Sequence, residues 1–76
     1  MKDGFKKDLL LRSAARLYSI GIDLEGAKEQ IRKLASSGVD YSSGQMQAAI
    51  EAYMDLKAQW DDLEQEYLRL RDEILR

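Results

Sequence analysis

The sequence predicts an all-α protein of three helices, two short ones packed on one long, coiled-coil-like carboxy-terminal helix. Three observations carry this. Helix formers dominate a composition with no Pro and five Gly, and few β-branched residues argue for strands. Two similar strings of turn residues punctuate the first half of the chain. A sustained seven-residue apolar repeat fills the second half.

The punctuating strings are Gly21-Ile22-Asp23-Leu24 and Gly38-Val39-Asp40-Tyr41. Glycine can take the left-handed conformation just past a helix end, and the apolar residue after it can fold back on the last turn. Asp then offers an oxygen to the free N–H groups that open the next helix. In the second string Ser42, with Gln45 three residues on, is a competing capping box. The likeness is repeated turn chemistry and not an internal repeat.

These stops place helix one at about residues 3–20, helix two at about 24–37 and helix three at about 43–75, in a single helical domain spanning 1–76. On helix one, Leu10, Ala14 and Leu17 with Leu11, Ala15 and Tyr18 form one apolar stripe. On helix two the line is Leu24, Ala27, Ile31 and Leu34. On helix three, Met46, Tyr53, Trp60, Tyr67 and Ile74 fall seven apart, as do Ala49, Leu56, Leu63 and Leu70. Such heptads predict supercoiling against a partner helix. Tyr and Trp in the seam fit poorly in a parallel zipper and suit an antiparallel packing, where they can lie over Ala14, Ala15 or Ala27.

Two arrangements satisfy the pattern. In a compact one, helices one and two fold together over the first half of helix three. In an extended one they lie end to end along it. Charge favours the second: it places residues 1–20, with five cations against two acids, near residues 58–76, with six acids against three arginines. Met54, Leu68 and Leu75 fall off the seam in either case, and a homodimer would use them together with Trp60 and Tyr67.

Composition narrows the function. The 76 residues contain no Cys and no His, which sets aside disulfides, zinc fingers and iron–sulfur clusters, and no cofactor or metal is expected. A chain this short has a thin core, so a partner chain is its expected supplement. The longest apolar run is Leu9-Leu10-Leu11, far below the ~18–20 residues of a membrane span, and Arg12 and Arg16 break it. No membrane insertion and a cytoplasmic setting follow as expectations.

Without His, Cys or Thr, a nucleophile–base arrangement is left with serines, which mostly sit where capping explains them. Asp61 and Asp62 point ~100° apart on a helix, and a solvated face accounts for them. No phosphate-cradling glycine motif occurs. Read as a helix-turn-helix, residues 34–39 would place an acidic helix against a polyanion, since residues 43–56 contain Glu51 and Asp55 but no cation.

One surface remains. Lys2, Lys6, Arg12 and Arg16 cluster on helix one with Phe5, Leu9 and Ser13 among them. Such a face can hold a partner protein, or less readily nucleic acid or an anionic membrane surface. The plainer alternative is that Phe5 and Leu9 form a second buried stripe whose edges the cations solvate. The expectation is a non-enzymatic protein–protein interaction module: a small adaptor, assembly factor or inhibitor of a larger complex whose identity the residues do not give. A nucleic-acid-associated accessory protein, using the basic face, is the alternative.

Overall fold

The computed structural model describes residues 2–75, and their side chains from Gly4 onward. It is all-helical, but with two helices and not three. Helix α1 runs Lys2–Ser36 and helix α2 runs Gly44–Leu75, joined as a helical hairpin. The rod measures 56 × 15 × 14 Å, with a radius of gyration of 16.9 Å against about 11 Å for a compact chain of this length.

The correction lies at Gly21-Ile22-Asp23-Leu24, which passes through α1 without a break. The expected helices one and two are one helix because their apolar lines share a single phase. Leu10, Leu17, Leu24 and Ile31 fall seven apart across the glycine, as do Ser13, Ile20, Ala27 and Leu34. A left-handed residue at Gly21 would swing everything after it off that line. Glycine inside a helix costs about 1 kcal/mol. Losing Leu24, Ile31 and Leu34 from the seam would cost roughly 1.5–3 kcal/mol for each side chain fully exposed. The seam therefore wins.

At the second string the balance reverses. The next seam positions of α1 are Gly38 and the exposed Tyr41, so nothing apolar holds the helix in line. Gly38 takes φ +81°. The N–H of Val39 donates to the carbonyl of Leu34 at 3.0 Å and that of Gly38 to Ala35 at 3.1 Å. This pair of bonds closes a helix on a left-handed residue. Asp40 does not cap α2. Its carboxylate accepts the Ser42 N–H at 3.3 Å inside the loop, and Ser43 caps α2 by accepting the Met46 N–H on its hydroxyl at 3.2 Å.

The hairpin register is fixed where Gly21 meets Trp60. A β-carbon on Gly21 would stand 3.8 Å from the indole nitrogen. One heptad away in each direction, Ala14 comes level with Tyr67, and Lys28 with Tyr53. Gly21 and Ala14 of α1 thus receive Trp60 and Tyr67 of α2, whereas Tyr53 stands beside the longer Lys28. Leu24, Met46 and Leu70 are buried, Met46 completely. Most other seam residues are half-buried, because two helices cover each other along one line only.

Candidate interaction surface

A two-helix rod has two broad sides flanking its seam, and here they differ in chemistry. On one side Arg16, Ser19 and Ile20 of α1 line a groove with Gln59, Asp62 and Leu63 of α2. Next to it, Asp62, Gln65, Glu66 and Arg69 line a second, polar depression. On the other side Gly21, Leu24, Glu25 and Lys28 line a groove with Tyr53, Lys57 and Trp60.

The first side takes in most of the basic cluster expected on helix one, and α2 supplies acids beside it. Arg16 shares its groove with Asp62. Arg12 is paired with Asp8 at 3.2 Å. Lys6 and Leu9 are half-buried, Ser13 is buried in the seam, and Phe5 is exposed. The structure thus separates these residues: Leu9 and Ser13 turn toward α2, whereas Phe5, Arg12 and Arg16 remain outside. The Lys2 side chain lies outside the described residues.

The second side is more apolar toward the open end of the rod. Leu11 and Tyr18 lie on the same heptad line of α1 as Glu25, and they are 69% and 75% exposed. From α2 come Met54, Leu68 and Leu75, on the line of Asp61 and beside the line of Lys57, Glu64 and Arg71. Leu68 is 37% exposed, and Leu75 is exposed more fully. Ile22 extends the apolar strip around the back of α1 and is exposed as well.

Of the residues expected to serve self-association, Met54, Leu68 and Leu75 are free, whereas Trp60 and Tyr67 are half-buried seam residues. The residues that sequence reasoning misplaced are Leu11, Ala15 and Tyr18. They belong to no core stripe: only Leu10, Ala14 and Leu17 of that set turn inward, and the other three are exposed. The signal was present in the heptad phase carried across Gly21.

Charged groups near the second side are largely tied up. Lys57 donates to Asp61 at 2.7 Å and its ammonium stands 5.1 Å from the Trp60 ring centroid. The hydrogen bond to Asp61, outweighing the opposing effect of desolvation, raises the Lys57 pKa above its ordinary value. Asp61 is therefore occupied as an ion-pair partner. Ser37 donates to the Lys33 carbonyl at 2.9 Å, and Ser43 is the α2 cap, so these hydroxyls are structural. Among the described residues no cluster of acids is arranged to hold a metal ion, and no helix is long and apolar enough to cross a membrane. No family model, no curated protein and no solved structure matches this chain.

Proposed function

We propose that this chain is a cytoplasmic, non-enzymatic protein-interaction module whose working surface is the apolar side of the hairpin. One observation carries the reading. The chain exposes 5841 Å², whereas a compact monomer of 8.7 kDa would expose about 4,700 Å². The surplus of about 1,100 Å² is comparable to the ~800 Å² each partner contributes to a standard interface. Leu11, Tyr18, Leu68 and Leu75 are among the large apolar side chains left exposed. Large exposed apolar patches rimmed by charge mark protein contacts, and tyrosine is a favoured anchor there. Occlusion or scaffolding of a larger complex is the mechanism that such a rigid rod can perform.

The nucleic-acid reading is the weaker of the two. Asp8 pairs with Arg12, and Asp62 stands beside Arg16, so both arginines of that face already stand beside acids.

The experiment is site-specific photocrosslinking of the full chain in cells that make it. A benzoylphenylalanine at position 18 is expected to give a covalent adduct of discrete mass, and the same group at the polar position 65 none. No adduct at position 18, or equal labelling at both positions, would overturn the reading.

A further inference from the structure

The apolar side carries a pattern that selects its occupant. On α1, Leu11 and Tyr18 are seven residues apart with Ala14 and Ala15 midway. On α2, Glu64 and Arg71 are also seven apart, with Leu68 beside their midpoint. The Gly21–Trp60 register places the two midpoints at the same height on the rod, within about one residue, or ~1.5 Å. Glu64 and Arg71 both sit on the line of Lys57, which lines the groove on this side. Arg71 is half exposed, with Asp72 no nearer than 3.9 Å.

Such a layout is complementary to itself under a two-fold rotation. Turning a second copy about an axis through that shared midpoint, across the rod, lays α1 on α1 and α2 on α2 in antiparallel sense. Leu68 then meets Leu68 of the other copy. Each Leu11 meets a Tyr18, and each Glu64 meets an Arg71. One surface patch serves both copies, as a closed two-fold interface requires.

We infer that the occupant of this surface is a second copy of the same chain, forming an antiparallel dimer with a four-helix core. This rests on the interaction-module reading and narrows it to one partner. The surplus surface of the rod is of the order that each partner contributes to a standard interface. Two half-covered seams, each with aromatic side chains at its edge, would gain a second layer. The charge pattern also argues against a parallel pairing of the two rods on this side, because it brings Lys7 near Arg71 of the other copy.

Sedimentation equilibrium of the full chain over a concentration series tests this. The expected mass at the upper end is twice 8.7 kDa. Leu68→Glu sets two carboxylates against each other at the axis, and is expected to leave a helical monomer by circular dichroism. Glu64→Arg or Arg71→Glu alone should each weaken the dimer by about tenfold, two pairs being lost per dimer. The double exchange E64R/R71E should recover most of that loss. A monomer at every concentration, a dimer indifferent to Leu68→Glu, or no recovery in the double exchange would overturn the inference. A monomeric chain whose position 18 crosslinks to a different protein would overturn it while leaving the interaction-module reading standing.

Discussion

Trp60 lies against Gly21, its indole nitrogen 3.8 Å from where a β-carbon on the glycine would stand. That distance is ordinary van der Waals contact, so the missing side chain makes room for the indole without a clash setting the limit. The contact fixes the register of the hairpin. The register in turn decides which residues are level across the rod, and so where the apolar side has its centre.

Because Gly21 is helical, Gly21→Ala is expected to stabilise the protein by about 0.5–1 kcal/mol, the usual gain for alanine over glycine in a helix interior. Thermal or urea unfolding reads it. A loss of stability would mean that Gly21 ends a helix.

Gly38 is the opposite case. At φ +81° it occupies the left-handed region, where a β-carbon costs roughly 1–2 kcal/mol. Gly38→Ala is expected to lower stability by about that amount in the same unfolding experiment, with the helix content of the folded state unchanged.

Two methionines eight residues apart separate core from surface. Met46 is completely buried and Met54 is 62% exposed. Met46→Ala should cost about 2–5 kcal/mol, as for a filled core position. Met54→Ala should stay within about 0.5 kcal/mol, as on a surface. Equal effects would contradict the placement of the seam.

Acid should loosen the loop. Hydrogen bonds from Ser42, first from its side chain and then from its backbone N–H, hold the Asp40 carboxyl below its ordinary range. The hydrogen bond from Arg32 does the same for Glu29. A carboxylate whose folded pKa is lowered adds stability above its unfolded value near ~4, and loses it as pH falls through the folded value. The melting temperature is therefore expected to hold from neutrality to about pH 5 and to fall below about pH 4. Asp40→Asn should flatten part of that fall, and an unchanged pH profile in the variant would contradict the loop geometry.

How much was legible depends on which signal is followed. The helical class and the α2 seam can be read from residues 46–74, where nine apolar positions never leave the heptad. The turn at Gly38 is legible as well, since the apolar phase ends there. The bridge at Gly21 was not, because local turn chemistry and long-range phase gave opposite answers and only packing against α2 decides between them. The same error hid the apolar side. With helix one ended at Ile20, Leu11 and Tyr18 could be folded into a core stripe. With α1 continuous, the inward positions go to Leu10, Leu17 and Leu24, and Leu11 and Tyr18 are left outside. The basic cluster dispersed for a related reason: Lys6 and Ser13 share the seven-residue line of Ile20, which faces α2.

Backbone chemical shifts of Ile20, Gly21, Ile22, Asp23 and Leu24 test the continuous helix most directly, since the register and both sides of the rod depend on it. An unbroken run of helical Cα shifts through these five residues is the predicted result. A left-handed or extended shift at Gly21, with helical values resuming only at Leu24, would contradict the hairpin and the surface derived from it.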